Sequence, residues 1–242
     1  MTNKLSKLND FKRILENYKP SLEVIDLLNE LQIVLLVAPA AAGRNTIVKN
    51  LIMTGKYYYL TSETTRLPRV NNGVLERDGG EYWFRNEDYM LQGLRQGLYL
   101  GASIIHEQQV SAISIDELRR AASKQLIAIT DIDINGADFI ADFGGNVTNI
   151  FVLPPDFDEW MRRLDSRGAM DPSEKRRRLQ SALHEISDSL KRNYFRYIVN
   201  WDLRATCEQL HEGIISQQFD QSSQDEAKNH AAKLIERLKQ EV

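Results

Sequence analysis

Two arginines, Arg66 and Arg69, stand on one hydroxyl-rich segment, Thr61-Ser62-Glu63-Thr64-Thr65-Arg66-Leu67-Pro68-Arg69, with a rigid proline between them. Guanidinium forks and hydroxyls at a strand end suit bidentate binding of a phosphate. Two aspartates, Asp131 and Asp133, follow the apolar run Leu126–Thr130. Ligands of open α/β sheets bind beyond the carboxyl ends of strands, so these carboxylates are placed for Mg²⁺ or substrate. A basic stretch comes next: Arg162, Arg163 and Arg167 precede Gly168, and Lys175, Arg176, Arg177 and Arg178 come after it. A solvated helix face often explains such runs. Arg163 and Arg167 lie four residues apart and share a face, however, and like charges there are unfavourable unless an anion sits between them.

The stretch that would organise these groups is Ile33 to Thr46. The apolar run Ile33–Val37 stops at Ala38-Pro39-Ala40-Ala41-Ala42-Gly43, and a helical pattern (Ile47, Val48, Leu51, Ile52) follows at once. This is a buried strand, a tight loop and a helix N-terminus, where backbone N–H groups and the helix dipole attract an anion. Against the phosphate-loop pattern G-x-x-x-x-G-K-[ST], the register reads Ala38-x-x-x-x-Gly43-Arg44-Asn45. One glycine of two is present, Arg stands for Lys, and Asn for Ser/Thr. An ordinary βα turn shares this layout, so the loop alone is a weak match.

The 242 residues carry a net charge of −3, 42% apolar and 27% charged residues, and a single cysteine, Cys207. Such a chain can build a sizeable core. Its overall charge does not advertise nucleic acid or an anionic membrane, and neither partner is expected. One cysteine excludes an internal disulfide and a cysteine-based metal site; Cys207 reads as a small core residue. The start lacks a signal-peptide apolar run, and no segment reaches the roughly 18 apolar residues of a membrane span. A cytoplasmic protein is expected.

Two helices are expected over 4–31, interrupted by Pro20. Strand 33–37 and helix 44–54 are followed by an aromatic strand, Tyr57–Leu60, and by a turn-rich excursion over 70–81 that ends at Tyr82-Trp83-Phe84. Asn86 caps a helix to about Gly97, Leu98–Ile105 is a strand, and Ser114-x-x-Glu117 reads as a capping box for helix 115–123. Strand Asn149–Leu153 stops at Pro154-Pro155, Tyr197–Asn200 is the last strand, and helix 202–216 follows. Residues 219–224 read as a linker into a final amphipathic helix with Leu234, Ile235 and Leu238.

Taken in order, these segments resemble the guanylate kinase family over about 33–216. Ser62-x-Thr-Thr-Arg66-x-Pro-Arg69 is similar to its S-x-T-T-R-x-P-R segment, and Glu81-Tyr82-Trp-Phe84 to its D-Y-x-F. Asp131-Ile-Asp133-Ile-Asn-Gly136 resembles D-I-D-x-Q-G. Arg163-Leu-x-x-Arg167-Gly168 and Arg178-Leu179 resemble the lid, and Ile198-Val-Asn200-x-Asp202-Leu203 the closing V-N-x-D-L. The resemblance implies an α/β, three-layer P-loop kinase fold with a parallel core sheet, a monophosphate-binding subdomain at about 61–112 and a helical lid at about 157–178. A helical extension (1–32) would precede this domain, and a linker with a C-terminal helix (217–242) would follow it.

It implies an ATP-dependent phosphotransferase that acts on GMP or a related nucleoside monophosphate, with Mg²⁺. Ser62, Arg66, Arg69, Tyr82 and Asp131 would bind the acceptor. Ala40, Ala41, Ala42, Gly43, Arg44, Asn45, Thr46 and Asn200 would bind ATP, with Asn45 towards the metal. Arg44, Asp133, Arg163, Arg167 and Arg178 would act on the transferring phosphoryl group, by positioning and charge neutralisation.

The departures from the family pattern are specific. Ala38 replaces a glycine, Arg44 is bulkier than lysine and not equivalent to it, and the family's guanine-reading acid falls at Gly101 on an ungapped count from Phe84. The family's Y-G-[ST] falls near Val110-Ser111-Ala112. Loss of an acidic partner lowers selectivity for guanine. Two other readings stay open: a guanylate-kinase-like binding module for a phosphorylated partner, and a kinase of a phosphorylated sugar such as ribose bisphosphate. The terminal helices are candidate interaction or homo-oligomer surfaces.

Overall fold

The computed structural model describes residues 4–71, 73–166 and 170–242. Helices α1 (Leu8–Leu15) and α2 (Leu22–Glu30) come first, parted at Pro20, with Ser21 capping α2 by accepting from the Val24 N–H. Strand β1 (Ile33–Val37), helix α3 (Arg44–Met53) and strand β2 (Tyr57–Tyr59) follow. Short strands β3 (Glu63–Thr64), β4 (Val70–Asn71), β5 (Val74–Leu75) and β6 (Trp83–Phe84) lead to α4 (Glu87–Arg95), β7 (Tyr99–Ile105), β8 (Gln109–Ser114) and α5 (Ile115–Lys124). Then come β9 (Ile127–Asp131), α6 (Ile134–Ala141), β10 (Val147–Leu153), α7 (Phe157–Asp165) and α8 (Pro172–Ser189). Strand β11 (Phe195–Val199) and helices α9 (Leu203–Ser216) and α10 (Gln221–Glu241) complete the chain.

The last four helices all start on aspartate. Asp156, Asp171, Asp202 and Asp220 each accept a backbone N–H of the first turn, and Pro172 takes the N1 position of α8. A carboxylate there satisfies an orphan donor and complements the helix dipole.

The chain forms two compact units. The first comprises the residues up to Ile33, Tyr58–Ala128 and Asp138–Val147. Its sheet has the order β6-β3-β8-β7, with β3 antiparallel to β8 and parallel to β6. The amino-terminal helices belong to its core: Leu5, Phe11 and Tyr18 pack with Met90, Leu91 and Leu94 of α4 and with Tyr99 and Val110. The Tyr18 hydroxyl also donates to the Tyr99 carbonyl at 2.5 Å.

The second unit comprises Val34–Tyr57, Ile129–Ala137 and Thr148–Val242. It is an α/β unit on a sheet of order β11-β10-β1-β9-β2, with β10 and β11 parallel in the register Asn149↔Phe195 to Leu153↔Val199. All five residues of β1 are buried, as a central parallel strand requires. Its main core joins Phe151, Trp160, Leu164, Leu179, Ile186, Phe195 and Tyr197 to Ala231, Leu234 and Leu238 of α10.

Several expectations are corrected. The Ser114–Glu117 capping box does not form: the Ser114 side chain makes no cap bond. Glu117, 1% exposed, instead accepts from the Thr61 N–H (3.0 Å), the Tyr58 hydroxyl (2.9 Å) and the Trp83 indole (3.0 Å), and pairs with Arg120. Three interior donors outweigh one reciprocal bond at a helix end. The linker 219–224 is mostly helix, because Asp220 caps α10 and starts it at Gln221, well ahead of the apolar stripe at Leu234, Ile235 and Leu238. Buried Gln224 then accepts from the Tyr197 N–H (2.7 Å) and donates to the Tyr197 carbonyl (3.0 Å). Strand β8 was not expected; it pairs with β7 across His106 and Glu107, whose φ of 51° and 57° are those of a tight hairpin turn without the usual Gly or Asn. Cys207 is half-buried on α9. Among the described residues, no helix is long and apolar enough to cross a membrane.

Candidate active site

In the second unit, the loop Ala38–Gly43 runs from the end of β1 into α3. Ala41 holds a left-handed φ of 64°, a conformation that costs an L-residue about 1–2 kcal/mol. Gly43, at φ 97°, needs its missing side chain: a Cβ there would lie 2.2 Å from the Asn200 Nδ2. Asn200 is 4% exposed and donates to the Ala42 carbonyl at 2.8 Å, so it ties the end of β11 to the loop. Its buried Oδ1 has no hydrogen-bond partner among the described residues. The Trp160 indole donates to the Ala40 carbonyl at 2.8 Å and fixes the other side of the loop. Trp160 was missed in the sequence, where it reads as one more apolar residue of a basic helix.

Arg44, the first residue of α3, reaches the end of β9. Its Nη2 pairs with Asp131 at 2.7 Å and its Nη1 donates to the Ile132 carbonyl at 3.3 Å. The side chains of Arg44 and Asp131 are 26% and 27% exposed, so the pair is partly shielded from water. Asp133 accepts the Gly136 N–H at 2.7 Å. Glu185 of α8 lies near Arg44 and Asp133, and burial pushes its carboxyl up to about 7, offset in part by Arg44. Glu185 was also missed; it stands seven residues beyond Arg178, on the same helix as that arginine.

Arg163 of α7 donates to Glu159 at 2.8 Å and to the Asn200 carbonyl at 3.3 Å. Arg163 also lines a cavity of about 320 Å³ with Ala41, Gly43, Thr46, Ser166, Asn200 and Leu203. The expected repulsion between Arg163 and Arg167 involves a residue outside the described ones. Arg162 and Arg163 share Glu159, whose carboxyl they hold down at about 2, and Arg177 and Arg178 share Glu174. These i,i+3 and i,i+4 carboxylates offset the charge of the four arginines they pair with. Arg167 lies outside the described residues.

In the first unit, Arg66 makes a bidentate pair with Glu76, which is 8% exposed, and lies over the rings of Tyr82 (4.7 Å) and Phe84 (5.5 Å). The Glu76 bond is the chief reason the guanidinium binds its proton more tightly than usual. Glu76 also accepts the Arg69 N–H at 2.8 Å, and Arg69 Nη2 donates to Gln109 at 3.4 Å. One carboxylate thus organises both arginines. It sits in the excursion after Arg69, where a lone Glu gives no sequence signal. The Ser62 carbonyl accepts the Trp83 N–H at 2.9 Å, which pairs β3 with β6 beside Tyr82.

The guanylate kinase family profile matches residues 30–217. The chain belongs to the guanylate kinase family. It is 30% identical over 186 residues to the guanylate kinase of Rickettsia bellii, across 76% of this chain and 94% of that protein. It is 28% identical over 180 residues to guanylate kinase 1 of rice, across 73% of this chain and 46% of that protein. The crystal structure of guanylate kinase from Anaplasma phagocytophilum shares the fold, with a TM-score of 0.56 at 22% identity, covering 80% of this chain and 89% of that one. A Cβ at Gly101 would sit 3.2 Å from Phe139, whose ring packs on Tyr18 (6.0 Å) and Phe143 (5.1 Å). The space beside Gly101 is taken by an aromatic ring.

Proposed function

We propose that this protein is an ATP-dependent nucleoside monophosphate kinase that binds its donor on the second unit and its acceptor on the first. The observation that carries the reading is the P-loop cavity. A helix N-terminus, a glycine that admits Asn200 and a guanidinium meet around a cavity of about 320 Å³. A helix N-terminus and a cation suit a polyphosphate. Thr46 and Arg163 line the same space. On this reading Ala40 to Thr46 and Asn200 hold ATP, and Arg44, Asp133, Arg163, Arg167 and Arg178 stabilise the transferring phosphoryl group. Ser62, Arg66, Arg69 and Tyr82 of the first unit hold the acceptor. Catalysis then comes from alignment and charge neutralisation, with no covalent step on the protein.

No cluster of three His, Cys, Asp or Glu capable of holding a metal occurs among the described residues. Mg²⁺ carried in on nucleotide phosphates needs only one or two protein oxygens, and Thr46 lines the cavity. The Asn45 and Thr46 oxygens would face it, and the ion would neutralise phosphate charge.

The acceptor is GMP by family default. Phe139 beside Gly101 supports a loosened preference for guanine, and extends the candidates to other monophosphates and to phosphorylated sugars. A binding-module reading draws its support from Ala41 in a glycine conformation and from Arg44 turned to Asp131. Calorimetry with ATP–Mg²⁺, followed by a phosphotransfer screen of monophosphate acceptors, separates these readings. Saturable ATP binding with transfer to a monophosphate is expected. Monophosphate binding without ATP binding or transfer overturns the kinase reading in favour of the module.

A further inference from the structure

Helix α10 begins at Gln221, beyond the residues 30–217 that match the family profile, yet it is built into the donor-binding unit. Its Leu234 and Leu238 share a core with Trp160 and Leu164 of α7, and its Arg237 guanidinium lies 5.0 Å over the Phe157 ring at the start of α7. One side chain of α10 makes the contacts that bear on the site. The His230 Nε2 lies 3.0 Å from the Pro154 carbonyl and 3.2 Å from the Pro155 carbonyl. Carbonyls only accept, so the proton sits on Nε2. Pro154 and Pro155 are buried and stand directly before Asp156, the cap of α7. The other contact of the imidazole is edge-on to Trp201, at 5.2 Å between centroids, and Trp201 is the residue after Asn200.

A closed circuit of contacts results. His230 holds the entrance of α7; α7 carries Arg163; Arg163 donates to the Asn200 carbonyl; Asn200 donates to the Ala42 carbonyl; and Trp201 returns to His230. We infer that α10 braces the P-loop cavity and that His230 is its positioning residue, setting where Arg163 and Asn200 stand for the donor nucleotide. Without the His230 contact, the carbonyls of Pro154 and Pro155 would lose this donor and the start of α7 would be free to pivot on them. In this chain the pivot is clamped, so the cavity is held ready before ATP arrives, and binding pays less ordering entropy.

This inference rests on the donor-site reading above, and two independent readouts keep the two apart. The first is amide hydrogen exchange on the full-length protein without nucleotide. In His230→Ala, exchange should accelerate in the first turn of α7 and at Asn200–Leu203, and stay unchanged in α4 and α5. The second is calorimetry: His230→Ala should weaken ATP–Mg²⁺ by about fivefold, the worth of one hydrogen bond, while monophosphate affinity holds. His230→Gln, whose amide can donate to the same carbonyls, should recover most of the loss. If His230→Ala does not fold, Trp201→Leu removes the other contact at a side chain that is 58% exposed and tests the same circuit. Unchanged exchange at α7 and Asn200–Leu203 overturns the brace, as does acceleration spread evenly over the whole protein. Accelerated exchange in a protein that never binds ATP leaves the brace standing and overturns the donor-site reading.

Discussion

Arg44 cannot hold Asp131 and a phosphate with the same guanidinium edge, and this competition can be measured. The Nη2–Oδ2 distance is 2.7 Å and the two side chains are 26% and 27% exposed. Unit charges about 4 Å apart attract by about 4 kcal/mol at an effective dielectric constant of about 20. Desolvation and side-chain ordering offset much of that. Exposed pairs net about 0.2–1 kcal/mol, and breaking a fully buried pair costs about 3–5 kcal/mol. A pair one-quarter exposed belongs between them, at about 1–2 kcal/mol. Urea unfolding of Arg44→Ala, Asp131→Asn and the double variant should return that value as the coupling energy. If ATP must draw Arg44 away from Asp131, then Asp131→Asn should tighten ATP–Mg²⁺ binding by up to the same amount, about five- to thirtyfold. Arg44→Ala should abolish the gain. A coupling energy under about 0.5 kcal/mol, the scatter of independent sites, would refute the electrostatic argument. Measured coupling with unchanged ATP affinity would instead show that Arg44 stays on Asp131 and works as a structural tie.

Other outcomes follow from the same geometry. Arg66→Ala leaves the 8%-exposed Glu76 without its bidentate partner, so stability should fall by about 3–5 kcal/mol, and Glu76→Gln in the same chain should restore most of it in urea melts. Arg69→Ala, at an exposed side chain, should leave stability near wild type and weaken monophosphate binding by about 1.5–3 kcal/mol; unchanged affinity would remove the acceptor assignment. Gly43→Ala places a Cβ 2.2 Å from Asn200 at a φ of 97°, so calorimetry should show ATP affinity reduced at least about tenfold, as one displaced hydrogen-bonded contact predicts. Glu185 binds protons more tightly folded than unfolded, since burial lifts its carboxyl to about 7. Its contribution to stability is therefore full at acid pH and is lost as pH rises towards and through 7. Glu185→Gln should flatten that decline between about pH 5 and 8 in thermal melts; an unchanged slope would show that the group is not buried in solution.

Much was legible in the sequence because the relevant physics is local. The β-branched run Ile33–Val37 reads as a buried strand, Asn86 marks a helix start, and Pro20 parts two helices. Motif order from Ser62 to Leu203 pointed to the family, because each motif combines residue types that phosphate chemistry selects. What the tertiary structure alone decided concerns the partners of charged groups. Glu117 has the spacing of a capping box and answers instead to Thr61, Tyr58 and Trp83, which the fold brings to it. Glu76 and Glu185 carried no signal, yet one organises both acceptor-loop arginines and the other faces Arg44. Repulsion between Arg163 and Arg167 was inferred from one helix face, whereas the fold shows that Arg163 already has a carboxylate partner, Glu159, one turn away. Periodicity and end signals are properties of a few consecutive residues, so a sequence states them directly. The partner of a buried charge is fixed by which distant segments share its low-dielectric surroundings, and only the folded chain determines that.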